Sequence, residues 1–451
     1  MRHIYYNART YSAGKFRDGL YVAVEGDFIT EVGEMTPGKA EEMANDPATE
    51  LHDCGGALLM PGAIDTHVHF REPGLTEKAD IATESAAARA GGVTSFTDMP
   101  NTRPATLTME AVEEKLRRAA ETSAINYGFF IGAANDNIDQ VLAADFSRVA
   151  GIKLFMGSST GNMLVDDTDS LEQLFARARC VIAVHAEDES IIAAARERLS
   201  REYPDGIPVE MHPDVRPREA CVRATERAIA LAERYGTRLH ICHISTADEL
   251  RLIAEAKARG VKVTAETCPQ YLLFDRNDLI TLGPRVKCNP SVKEASDRIA
   301  LIRELKAGGV IDTIATDHAP HLPAQKEGNA LTAASGMPMV QWALPAMLDL
   351  MTADPDGEES LTPERIVELM CLNPARIFGI DRRGDIRPGY YADLVLAEKL
   401  PLPGQKINDA DVVSRCGWTP LAGRSLQWRV STLRCTRMAL RFGATEAATK
   451  D

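Results

Sequence analysis

Two segments more than two hundred residues apart, Ile64-Asp65-Thr66-His67-Val68-His69-Phe70-Arg71 and Ala315-Thr316-Asp317-His318-Ala319-Pro320-His321, hold four of the chain's ten histidines. Both lie on or just after apolar, strand-like runs. Side chains alternate along a strand with period two, so the imidazoles of His67 and His69 share one face. Such a pair meeting a distant Asp-His segment supplies imidazole and carboxylate, the usual non-thiolate ligands of a borderline divalent metal. The chemistry these residues indicate is that of a metalloenzyme.

The elements that must position them can be counted. Eight strand-like runs follow Pro61: Ala63 to Phe70, Val93 to Met99, Ile125 to Gly132, Gly151 to Met156, Val181 to Ala186, Arg238 to Ser245, Val261 to Thr267 and Val310 to Thr316. Between them lie helical patterns such as Thr76 to Ala90, Thr108 to Thr122, Arg218 to Tyr235, Ala247 to Arg259 and Ala295 to Ala307, several closed by Gly as a helix C-terminal signal. Eight strands alternating with helices predict a parallel sheet closed into an α/β, (β/α)8 TIM-like barrel. Both chain ends read as short strands, Leu20 to Val24 and Phe28 to Val32 on one side, Pro388 to Leu396 and Leu426 to Phe442 on the other. The expected organisation is a small β-sandwich domain built from residues 1–59 and 381–443, a catalytic barrel over 60–380 and a tail at 444–451.

In a barrel of this type the active site sits at the C-terminal ends of the strands. His67 and His69 end the first, Lys153 lies in the fourth, His185 ends the fifth, His243 ends the sixth and Asp317 follows the eighth. His3, His52 and His212 fall outside this pattern and read as surface or structural. His240, three residues before His243 on one strand, should face oppositely and serve as a packed supporting residue. Nine cysteines sit singly with no C-x-x-C pair, which argues against a disulfide framework or a thiolate zinc site and favours the cytoplasm. Cys242 reads as a small buried hydrophobe pointing away from His243. A formal charge of -14 excludes a general nucleic-acid surface. No apolar run approaches the roughly 20 residues of a membrane span, and Met1 to Arg9 has no signal-peptide core.

Taken together, His67-Val68-His69-Phe70-Arg71-Glu72-Pro73-Gly74, Met99-Pro100-Asn101-Thr102, Gly151-Ile152-Lys153-Leu154-Phe155-Met156, Cys242-His243-Ile244-Ser245-Thr246 and Thr316-Asp317-His318-Ala319-Pro320-His321 resemble the dihydroorotases of the cyclic amidohydrolase superfamily. The resemblance runs in order from about Leu59 to Leu396, through Leu372-Asn373-Pro374-Ala375-Arg376. It implies reversible cyclisation of N-carbamoyl-L-aspartate to dihydroorotate, a step of pyrimidine biosynthesis, at a two-zinc centre. His67, His69 and Asp317 would hold one ion, His185 and His243 the other, with Lys153 bridging them as an N6-carboxylated lysine. Charge accounting agrees with such a bridge: two Zn2+ against ionised Asp317, a carbamate and a hydroxide leave roughly one positive charge for an anionic substrate. Asp317 would be the catalytic proton carrier. Arg71, Asn101 and His321 would read the substrate carboxylate, and Asn289 would make a further contact. The resemblance also implies a homodimer.

The chain departs from the family pattern in two places. Ser291 and Lys293 replace a Pro and an Arg usual in the Asn-Pro segment, and Ser335-Gly336-Met337-Pro338-Met339-Val340-Gln341 is similar to the allantoinase side. The alternatives are therefore a hydantoinase, dihydropyrimidinase or allantoinase acting on neutral rings, or a non-catalytic barrel paralogue, although all six metal-ligand positions are kept. Gly157 to Val165 and Leu322 to Ala334 are connections near the mouth that read equally as a lid or as surface loops.

Overall fold

The computed structural model describes residues 1–156, 163–165, 167–350 and 361–443. It is an α/β barrel with a β domain assembled from both chain ends. The barrel strands run Ala63–Val68, Val93–Asp98, then Asn126–Phe129 continued by Ile131–Gly132, followed by Ile152–Phe155, Ile182–His185, Leu239–Ile241, Val263–Thr267 and Thr313–Ile314. Neighbours pair in parallel, as strands joined by helical crossovers must. A bridge between Val68 and His318 closes the ring, with the His69 N–H donating to the His318 carbonyl at 2.8 Å. The strands read as apolar runs because both faces are buried, one against the helices and one in the barrel interior.

Asp65 helps tie that closure. Its carboxylate accepts from Thr316 Oγ1 at 2.6 Å, from the Thr316 N–H at 3.1 Å and from the His67 N–H at 3.2 Å. The first and eighth strands are thereby fixed side by side. Asp98 does similar work at the second strand, accepting from the Phe70 N–H at 2.7 Å and from buried Lys115 Nζ at 2.5 Å.

Several elements are shorter than the sequence suggests. The helix expected from Thr76 begins at Ile81, because Asp80 caps it by accepting from the Thr83 N–H and Thr83 returns the contact. The sixth strand stops at Ile241 and the eighth spans only Thr313–Ile314. Beyond those points His243 and Asp317 adopt φ of 43° and 46°, which no strand tolerates.

The terminal sheet has seven strands. Arg2–Ser12 pairs antiparallel with Lys15–Glu25 and parallel with both Thr49–Asp53 and Leu58–Pro61, while Leu394–Lys399 joins Leu58–Pro61 to Trp428–Arg434. Leu59 and Leu394 bury in the apolar centre of this sheet with Val22, Val24 and Ile29. Among the described residues no helix is long and apolar enough to cross a membrane.

Candidate metal centre and substrate cavity

One cavity of about 160 Å3 opens at the C-terminal ends of the barrel strands, and all ten residues singled out from the sequence line it. His67, His69 and Asp317 bring one donor atom each to within 4.8 Å of one another. His69 Nε2 lies 3.0 Å and His67 Nε2 3.5 Å from Asp317 Oδ1. A second cluster adjoins it, with His185 Nδ1 2.8 Å from His243 Nε2. Lys153 reaches the same cavity from the fourth strand.

Three of these imidazoles are held from behind. His67 Nδ1 is 2.7 Å from Glu266 Oε1, His69 Nδ1 is 2.7 Å from Asn101 Oδ1, and His185 Nε2 is 2.9 Å from Glu187 Oε2. Fixing one ring nitrogen as the donor leaves the other as a lone pair aimed at the common point, the usual arrangement behind a metal-ligating histidine. Burial lowers the pKa of His67, His185 and His243, so the neutral, ligand-competent imidazole is favoured. Despite its burial, Asp317 is held well below the usual carboxylate range by His67 and His69.

Glu266 and Glu187 were not singled out from the sequence. Glu266 lies in the strand Val263–Thr267 near its C-terminal end, the same positional signal that marked the histidines, and Glu187 lies two residues after His185. Glu266 also faces His240 Nε2 at 3.5 Å, and His240 Nδ1 meets Thr264 Oγ1 at 2.9 Å, so His240 supports from within the barrel wall. Arg216 pairs with Glu187 and keeps it ionised.

Cys242 is buried, but it does not simply face away from the site. Its Sγ lies 3.1 Å from Lys153 Nζ and close to Glu266, which His240 two residues earlier also faces. Burial pushes the thiol pKa up to about 12, so Cys242 stays protonated. Buried Lys153 lies against this thiol, with the Phe155 ring 5.2 Å from its Nζ, and lines the same cavity as His67, His185, His243 and Asp317. The gathered imidazoles and Asp317 form a donor set that fits a metal centre.

Arg71 forms the facing wall. Its Nε donates to the Pro320 carbonyl at 3.2 Å, and Nη2 lies 3.2 Å from His321 Nε2. Glu72 is not its partner: that carboxylate takes Arg118 and the Ile81 N–H instead. His321 Nε2 also sits 3.0 Å from the Ser335 carbonyl and Nδ1 sits 3.4 Å from Lys78 Nζ. Burial, reinforced by Arg71 and Lys78, pushes the His321 pKa down to about 2. Lys78 and Arg103 add further positive charge to the lining. Among the described residues, Asn289 Oδ1 is buried without a hydrogen-bond partner.

Arg71, His243 and Asp317 all have positive φ, at 69°, 43° and 46°. Such conformations cost roughly 1–3 kcal/mol each outside glycine and persist where surrounding structure over-determines them. Of the two mouth connections, residues 157–162 lie outside the described residues. The other is tied down: Lys326 Nζ donates to the carbonyls of Lys287, Ala334 and Gly336 at 3.0, 2.8 and 2.8 Å. His212, expected at the surface or as structural, is buried and structural.

Comparison with known proteins agrees with this geometry. A family model described as "Amidohydrolase family" matches residues 58–418. A dihydroorotase of Halobacterium salinarum is 36% identical over 413 residues, covering 91% of this chain and 90% of that protein. An allantoinase of Deinococcus radiodurans is 33% identical over 423 residues, covering 92% of each. The solved L-hydantoinase (dihydropyrimidinase) of Arthrobacter aurescens superposes with a TM-score of 0.87 at 27% identity, covering 99% of this chain and 97% of that one. The match extends over the barrel and into the terminal strands, and the chain belongs to the amidohydrolase family as a cyclic amidohydrolase.

Proposed function

We propose that this chain is a dihydroorotase, a two-zinc enzyme that interconverts N-carbamoyl-L-aspartate with dihydroorotate and water in pyrimidine biosynthesis. The observation that carries this reading is the charge of the wall facing the metal-ligand cluster: Arg71, Lys78 and Arg103 line one small cavity. A carboxylate-bearing ring matches that wall. Hydantoin and allantoin, being neutral, leave a buried guanidinium unanswered.

His67, His69 and Asp317 would hold one ion, His185 and His243 the second, with N6-carboxylated Lys153 between them. When bound, the two ions supply acidification of a water molecule and polarisation of the amide carbonyl. Asp317 takes the proton from the attacking water and delivers it to the departing ring nitrogen, acting as base and then as acid. Arg71 receives the ring carboxylate, with Asn101 and His321 as further contacts from the lining of the same cavity. The unpaired Asn289 Oδ1 offers an acceptor to a substrate N–H, which relieves its own burial cost. Ring closure runs through the same atoms in reverse. The active unit is read as a homodimer in the cytoplasm, acting on a small molecule.

Turnover of dihydroorotate, hydantoin and allantoin by the purified protein tests the reading. Interconversion of carbamoyl aspartate and dihydroorotate is expected; preference for either neutral ring would replace the assignment with a hydantoinase or allantoinase.

A further inference from the structure

We infer that His3, Glu50 and His52 form a second, separate metal site, on the terminal β domain, that binds one divalent ion of the zinc class. Arg2–Ser12 and Thr49–Asp53 run parallel, with His3 opposite Glu50 and Tyr5 opposite His52. Residues two apart on a strand share a face, so all four side chains project from the same side of the sheet. His3 Nδ1 lies 3.1 Å from His52 Nε2 and 3.2 Å from Glu50 Oε2, and His52 Nε2 lies 3.8 Å from Glu50 Oε1. Zinc ligands at about 2.0–2.2 Å in a tetrahedron stand about 3.3–3.6 Å apart, so the three donors already have close to the required spacing.

The rings are held in this arrangement by packing. Tyr5 stacks on His52 at 4.7 Å and 17°, and His3 stacks on His52 at 5.3 Å and 28°. Two ring nitrogens and a carboxylate oxygen lying within 4.8 Å of one another can share protons in pairs or one cation together, and only the cation uses all three lone pairs at once. The side chains of His3, Glu50 and His52 are 24%, 54% and 33% exposed, which leaves a fourth position to water. Two His, one carboxylate and an open position make a ligand set suited to zinc.

None of the three residues lines the substrate cavity, so the site can be tested apart from the assigned activity. Zinc bound per chain is counted by equilibrium dialysis and elemental analysis for the intact protein, the His3→Gln variant and the His3→Gln/His52→Gln variant. The double variant is expected to bind one ion fewer per chain with turnover unchanged. Added Cu2+ should show nitrogen hyperfine coupling from this site in the wild type that the double variant lacks. The single variant changes only a partly exposed side chain and should weaken the same ion. Equal zinc content and identical Cu2+ spectra in all three proteins would overturn the inference and leave the cluster a hydrogen-bonded set.

Discussion

Replacing Arg71 by Met separates the proposed carboxylate reader from a merely structural arginine. The side chain is buried, its Nε–H donates to the Pro320 carbonyl, and its guanidinium lines the cavity. Burial lowers its pKa to about 10, so it is charged at neutral pH. Truncating one partner of a buried, hydrogen-bonded charge pair typically costs about 2–5 kcal/mol. Lys78 and Arg103 remain in the wall and compensate part of the lost charge, which favours the lower half of that range. A loss of about 2–3.5 kcal/mol corresponds to about 30- to 370-fold in kcat/KM for dihydroorotate. The same substitution should cost a neutral ring such as hydantoin little, because no carboxylate is left unpaired. The assay is kcat/KM on both substrates, with bound metal counted in each preparation and Arg71→Lys as a control that keeps the charge but not the fork. Equal losses on both rings, or losses matched by missing metal, would refute the reasoning and make Arg71 a scaffold for the positive-φ turn it occupies.

Glu266→Gln keeps an acceptor for His67 but removes the charge that orients it, so metal affinity should fall about 10–100-fold, as for other residues that buttress metal ligands; chelator competition measures it, and unchanged affinity would remove Glu266 from the site. Lys153→Ala should abolish turnover, with partial return on adding short carboxylic acids; full activity without them would eliminate the bridge. His212 is buried among Lys287, Arg216 and Lys293, and its pKa is held well below the usual value. The unfolded chain therefore binds a proton below about pH 6.5 that the folded chain refuses, so stability falls as pH drops, by up to about 1.4 kcal/mol per pH unit from this one group. Denaturant unfolding at pH 5.5 and 7 should show a smaller acid loss for His212→Met than for the wild type, and equal losses would show that His212 does not carry this effect.

The local facts of this protein were legible in its sequence. Period-two alternation placed His67 and His69 on one face, eight apolar runs announced the barrel, and the positions of the six ligand-type residues on or beside strand ends pointed to one mouth, where all six line one cavity. Those readings succeed because they depend on neighbours along the chain and on burial of whole strands. What lay outside that reading depends on contacts between distant residues. Asn101 sits behind His69, Glu266 behind His67 across 199 residues, and Asp65 pins Thr316 across 251. The helix start at Ile81 was set by the Asp80 cap, and Cys242 lies against Lys153. No periodicity encodes the positive φ of Arg71, His243 and Asp317, since a residue adopts that conformation only when packing around it removes the alternatives. The sequence by itself determined which chemical groups stand at the mouth. Tertiary structure decided which nitrogen of each imidazole is free and what each cation faces, because those choices are made by partners that only closure of the barrel brings within hydrogen-bonding distance.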